Sequence, residues 1–251
     1  MGENVNQKPM EPEEDPQLQD EVPLDVEAEP LDDSQAVFDD EFIRARRAAR
    51  TAAQVNRGFL DADGAEETVP DDGLSEEILS SKVAWRGDFL TVDDVTVRLP
   101  NGKTAHRDVI RHPGAVAVIA LTDEGKLVLV HQYRTALEQV TLEIPAGKLD
   151  PGEDPAHAAA RELLEETGYM AARMAYLAPI AMAAGYSDEI IHLYMAMGLT
   201  FVGAQPDPDE FVHVDLVDLN DMVDMVLDGK IIDSKTVAGV MLCDAIARRM
   251  E

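Results

Sequence analysis

"GKLDPGEDPAHAAARELLEETGY", Gly147–Tyr169, sets glutamates and one arginine at fixed intervals around a run of alanines and leucines. The stretch "DPAHAAARELLEETG" carries the signals of a helix: an acidic start, Pro155 in the first turn, good helix formers and a terminal Gly168. At about 100° per residue, Glu162, Glu166 and Glu165 fall near 0°, 40° and 300°, so three carboxylates share one face. Ala156, Ala160, Leu163, Leu164 and Thr167 fall opposite and are expected to form the buried stripe. Ala158 and Ala159 flank the acidic arc and leave the backbone there open to close approach. Like charges at i, i+4 destabilise a bare helix, so the arc needs a compensating cation or is simply solvated. Oxygen donors without cysteine or clustered histidine favour Mg²⁺ or Mn²⁺ over zinc.

Working outward, short strands alternate with turns. Before the quoted stretch come "SSKVAWRG", "FLTVDDVTVRL", the turn "PNGK", "AHRDVIRH", and two strongly apolar strands, "AVAVIAL" and "LVLVHQY", joined by "TDEG". After it lie "MAYLAPIAMA", "IIHLYMAMGL" and "EFVHVDLVDL", then helices near 219–228 and 233–249, the second opening on an Asp/Ser cap. Strands and helices mix without a regular βαβ rhythm. The expectation is an α/β (α+β) chain with a mixed sheet flanked by helices, not a doubly wound one.

The N-terminal third has a different texture. Residues 1–35 hold 12 acids against one lysine, repeated prolines and no aromatic residue, too little apolar surface to offset ordering entropy, so disorder is expected. Residues 36–56, "AVFDDEFIRARRAARTAAQVN", fit a helix with acids early and arginines late, and "LDADGAEETVPDDG" reads as linker. Residues 1–74 thus form an acidic extension, 75–113 a strand-rich region and 114–251 the main domain.

The chain has 251 residues, 45% of them hydrophobic, and a formal charge of −29, which disfavours nucleic acid or an anionic membrane as partner. Without a long apolar run or export signal the chain reads as cytoplasmic. One cysteine, Cys243, excludes an internal disulfide and a cysteine zinc cluster, and its helical apolar context marks it as a small core residue. None of the six histidines shows metal-ligand spacing.

Gly147, five residues, Glu153, seven residues and then "RELLEETGY" resembles the box of the Nudix hydrolase family, with Tyr169 where an aliphatic residue is usual. "HPGAVAV", "QYR", "LEIPAGKLDPGEDP", "GYSDE" and "DGKIIDSKT" extend the resemblance to the family's ADP-ribose pyrophosphatase branch. The resemblance implies an α/β/α sandwich, a homodimer with residues 75–113 against the partner, and metal-dependent cleavage of ADP-ribose to AMP and ribose 5-phosphate. Ala184 stands where that branch usually has proline, which keeps another nucleoside diphosphate compound open as substrate. A non-catalytic ADP-ribose sensor is a further alternative, which the intact box disfavours.

By the same resemblance, Glu162, Glu166 and the carbonyl of Ala146 would ligate Mg²⁺ or Mn²⁺, and Glu165 would bridge directly or through water as a catalytic group. Gly147, Glu153, Arg161 and Gly168 would shape the loop and helix, Glu153 and Arg161 as an ion pair. Arg107 and Arg134 would hold substrate phosphates, or be ordinary surface arginines. Glu189 would contact ribose or a metal-bound water, or end a strand in solvent. Trp85 would stack near adenine across the dimer, or fill a core. The general base would come from "AQPDPDEF", with Glu210 preferred over Asp207 and Asp209, and Pro208 where an acid is expected.

Overall fold

The computed structural model describes residues 59–60, 66–67, 73–204 and 211–249. The expectations for 1–35, the helix over 36–56, and Asp207, Asp209 and Glu210 as candidate bases lie outside these residues. Part of the stretch read as linker is paired: β1 (Phe59–Leu60) and β2 (Glu66–Glu67) form a two-residue antiparallel ladder.

Three strands, β3 (Glu77–Arg86), β4 (Thr91–Arg98) and β5 (Thr104–Arg111), make an antiparallel sheet in chain order. A seven-stranded mixed sheet follows, built from β6 (Ala115–Leu121), β7 (Lys126–Arg134), β8 (Gln139–Glu143), β9 (Ala146–Lys148), β10 (Tyr169–Ala181), β11 (Ile190–Phe201) and β12 (Val212–Asp218). Its main path is β10-β11-β6-β7-β12, with β8 on β7 and β9 on β6. Only the β11–β6 pair in it is parallel among the described residues.

Alternation along β6 shows how this sheet makes two cores. Val116, Val118 and Ala120 pack against α1 (Pro155–Thr167) through Ala158, Ala159 and Leu163. Ala115, Ala117 and Ile119 face the opposite layer, α2 (Leu219–Leu227) and α3 (Ser234–Ala247), through Met222, Val240 and Cys243. Period-2 patterning with both faces apolar is what a sheet covered by helices on each side requires. The result is the expected α/β/α sandwich. Side chains as buried as Ile119 and Leu163 each contribute roughly 1.5–3 kcal/mol of transfer free energy. Gly239 lets α3 approach the sheet closely, since a Cβ there would stand 3.1 Å from Ile144 Cδ1 and 3.2 Å from Ile119 Cγ1. Cys243 is a core residue, and burial pushes its thiol up to about 11, so it stays protonated at neutral pH.

The three-stranded sheet is tied to the larger one by the loop before β11. Ile110 N donates to Tyr186 O at 2.7 Å and Asp188 N to Ile110 O at 3.1 Å. Asp188 then accepts from His112 N at 2.9 Å and from Arg111 Nη1 at 3.1 Å.

Candidate active site

The box helix starts and stops as its residues dictate. Asp154 caps it, accepting from Ala156 N at 2.9 Å and His157 N at 3.4 Å, Pro155 fills the first turn, and Gly168 ends it at φ 74°. A Cβ on Gly168 would strike the backbone of Gly203 and Ala204, so the left-handed stop and the close crossing both call for glycine.

The acidic arc does not face solvent opposite a buried stripe. Ala156 and Ala160 are exposed and Leu164 is half-buried, whereas Ala158, Ala159, Glu162 and Glu166 are buried together with Leu163 and Thr167. The reason lies in β9, which lays Ala146 and Gly147 opposite Ala117 and Val116 on β6, beneath the helix. Ala146 N donates to Glu166 Oε2 at 3.0 Å. At Gly147 any Cβ would overlap the Glu162 carboxyl group. A bare backbone strand therefore makes the cradle that two inward carboxylates occupy.

Arg161 gathers the other acids. Its Nε and Nη2 donate to Glu153 at 2.9 and 3.0 Å, and its Nη1 donates to Glu162 and Glu165, both at 2.8 Å. Arg161 hydrogen bonding, against a smaller desolvation effect, holds the Glu153 carboxyl below its usual range. The Glu153–Arg161 ion pair expected from the resemblance is thus present, and Arg161 also spans two of the proposed metal-site carboxylates. Among the described residues no three acidic or histidine side chains converge tightly enough to cage a metal by themselves.

A second charged cluster lies on β7, β8 and the start of α3. Arg134 Nε and Nη2 donate to the two oxygens of Glu143 at 2.8 and 2.6 Å. Thr141 Oγ1 donates to Glu143 at 2.5 Å, and Lys235 Nζ donates to Glu143 and, at 3.1 Å, to Asp233. Asp233 also caps α3 through Thr236 N at 2.9 Å. Burial pushes the Glu143 carboxyl up, but the Arg134 bonds and the Lys235 charge outweigh it and hold the group at about 2. Glu166 lies within electrostatic reach of Arg134. Asp233 is the helix cap that the sequence predicted, but neither Glu143 nor Lys235 stood out. The available signal was a lone acid inside the apolar "QVTLEIP" and a lone lysine in "IIDSKTV".

The remaining predicted residues scatter. Arg107 pairs with Glu76 at 2.5 Å and lines an open cleft of about 340 Å³ with Ala184, Tyr186 and Asp188. The box carboxylates do not line this cleft. Glu189 lies 3.7 Å from His112 Nε2, whose ring is otherwise fixed by Gly114 N donating to Nδ1 at 3.1 Å. Trp85 is 56% exposed on β3 and covers Gly87, so it is not a core residue.

The family model described as the NUDIX domain matches residues 111–239. A protein of Bacillus methanolicus named methanol dehydrogenase activator is 49% identical over 168 residues, 66% of this chain and 88% of that protein. The ADP-ribose pyrophosphatase of Bacillus subtilis is 40% identical over 169 residues, 66% of this chain and 91% of that one. That of Mycobacterium tuberculosis is 35% identical over 173 residues, covering 68% and 84%. A solved structure described as an ADP compounds hydrolase superposes with a TM-score of 0.61 at 26% identity, covering 68% of this chain and 94% of that one. With the box geometry and these matches in agreement, the chain belongs to the Nudix hydrolase family.

Proposed function

We propose that the protein hydrolyses the pyrophosphate bond of ADP-ribose to AMP and ribose 5-phosphate with a divalent cation, Mg²⁺ or Mn²⁺. The observation that carries this reading is the inward turn of Glu162 and Glu166 over a side-chain-free backbone at Gly147, in a chain similar to proteins named ADP-ribose pyrophosphatase.

The donors fit a hard cation. Glu162, Glu166 and the Ala146 carbonyl offer only oxygens, and the six acids of the box outnumber its two cations, Lys148 and Arg161. Substrate oxygens would complete a set that the side chains do not close alone. When bound, the cation would neutralise pyrophosphate charge and lower the pKa of an attacking water.

The chain's own groups have separable tasks. Glu162 and Glu166 hold negative charge in a buried cradle, and Arg161 keeps Glu162 and Glu165 in fixed rotamers. Arg134 lies beside this site, within reach of Glu166, and a fork-shaped cation suits a phosphate. Arg107 would bind the rest of the substrate in the cleft that Ala184 also lines, and Glu189 would contact ribose or a metal-bound water. The proton acceptor remains assigned to 207–210, with Glu210 preferred.

A homodimer through residues 75–113 belongs to the same reading. Every residue of β3 is exposed, Ile78 by 63%, Val83 by 53% and Trp85 by 56%, an apolar surface that a second copy would cover. Among the described residues no helix is long and apolar enough to cross a membrane, which accords with a cytoplasmic site.

The test incubates purified protein and Mg²⁺ with ADP-ribose, other nucleotide sugars, dinucleotides and nucleoside triphosphates, with products identified by mass. ADP-ribose is expected to give the highest kcat/KM and to yield AMP plus ribose 5-phosphate. A higher value for another class overturns the substrate, and no turnover of any member overturns the hydrolase.

A further inference from the structure

Arg134 makes a side-on pair with Glu143 that uses Nε and Nη2. Among the described residues no protein acceptor takes a hydrogen from Nη1, and the side chain is 38% exposed. Two N–H bonds of a fixed guanidinium are therefore offered outward. Lys235 braces the Arg134–Glu143 pair from behind. Its side chain is 7% exposed, its Nζ donates to the Glu143 oxygen that also takes Arg134 Nη2, and Asp233 holds it from the other side. Thr141 donates to the remaining Glu143 oxygen. With donors on both sides, the Glu143 carboxylate has one orientation, and the bidentate pair makes Arg134 lie in its plane.

Burying a lysine and a glutamate is costly even when they are paired, and an apolar pair often serves stability as well. This argues that the arrangement serves something besides holding α3 to the sheet. We propose that Lys235 is a positioning residue: acting through Glu143, it fixes Arg134 with Nη1 outward, oriented to meet a substrate phosphate. The first turn of the C-terminal helix is in this way built into the substrate site. The inference rests on the reading of Arg134 as a phosphate-binding residue.

The experiment is a double-mutant cycle on the full-length protein with Mg²⁺ and ADP-ribose, comparing Lys235→Met, Arg134→Ala and the pair, with kcat and KM determined separately. Lys235→Met is expected to lower kcat/KM by about tenfold or more, equivalent to ~1.4 kcal/mol of transition-state stabilisation. In the Arg134→Ala background the same change should have almost no further effect, since contacting residues couple non-additively. Lys235→Arg, which retains the cation, should recover much of the loss. Melting curves show which variants are folded at the assay temperature. Should Lys235→Met be unfolded there, Thr141→Val, which removes the other donor to Glu143 without touching charge, takes its place and should show the same dependence on Arg134.

An unchanged kcat/KM in Arg134→Ala would overturn the reading of Arg134 and this inference with it. A loss in Arg134→Ala accompanied by a silent Lys235→Met, or by an effect that multiplies independently of Arg134, would overturn the inference alone. That second pattern would leave Lys235 as a strut between α3 and the sheet.

Discussion

Among the described residues, two clusters bring an arginine to buried carboxylates, and they differ in arithmetic. At the box helix, Arg161 faces Glu153, Glu162 and Glu165 directly, and Glu166 lies on the same helix face. At the head of α3, Arg134 and Lys235 meet Glu143 and Asp233, two cations for two anions. The second cluster is closed, because every charge has an opposite within the protein. The first gathers four acids, two of them buried, around a single arginine. Buried carboxylates are costly unless a cation meets them, which is why the first, open cluster is read as the proposed cation site and the second, closed one as a positioning device.

The closed cluster breaks with the largest effect. Glu143→Gln leaves Lys235 and Arg134 without their shared anion, and removing one partner of a buried pair typically costs about 3–5 kcal/mol of folding stability. Because Glu143 is held at about 2, below the ordinary glutamate value, its contribution is present above roughly pH 4.3. It is lost as pH falls through about 2. Denaturant unfolding should therefore show a wide gap between wild type and variant at pH 6 that narrows between roughly pH 4 and 2. A gap of constant width over that range would mean that the carboxylate form is not what holds the cluster.

The open cluster should respond the other way. Glu166→Gln keeps an acceptor for Ala146 N and removes one charge from the acid excess. Loss of such an electrostatic group is expected to lower kcat by about 10² to 10³. Without metal, folding should hold or gain a few tenths of a kcal/mol as like-charge repulsion falls. Turnover across a Mg²⁺ titration, read beside metal-free melting, measures both. Full activity at low Mg²⁺ would mean that these buried carboxylates do not hold the cation. Gly147→Ala tests the cradle without changing charge. The new methyl must displace the Glu162 carboxyl or the strand, and a misplacement near 1 Å costs on the order of 10²-fold in rate. Wild-type kcat in a folded Gly147→Ala protein would show that the Glu162 position does not matter to turnover.

The two clusters were also unequally legible in the sequence. The box spacing, the Asp154 cap and the Gly168 stop are local signals, and strands such as "AVAVIAL" and "LVLVHQY" announce themselves by composition. The fold class followed from them. The direction of the acidic arc did not, because a helical wheel places glutamates outward unless something beneath them lacks a side chain. That something was Gly147, on a three-residue strand whose pairing with β6 is tertiary. The short strands β8 and β9, separated by Pro145, were read only as motif. The closed cluster joins Glu143 to Lys235 across 92 positions, and neither residue has a charged neighbour pattern to betray the other.

The smallest effect separates a third carboxylate from both clusters. Asp154 sits next to Glu153 and adds to the apparent acid excess of the box, yet its hydrogen bonds go to backbone N–H groups at the helix start. Its charge is met by the helix dipole, not by an arginine or a bound cation. Asp154→Ala should therefore cost about 1 kcal/mol of stability, the ordinary loss of an N-cap. Metal affinity and kcat should stay within about twofold of wild type, since less than 0.5 kcal/mol separates values that close. Chemical denaturation and a Mg²⁺-dependence curve on the same preparation measure the two quantities. A Mg²⁺ requirement shifted tenfold would assign Asp154 to the open cluster, and the excess there would then have to be counted from the whole helix start and not only from its inward face.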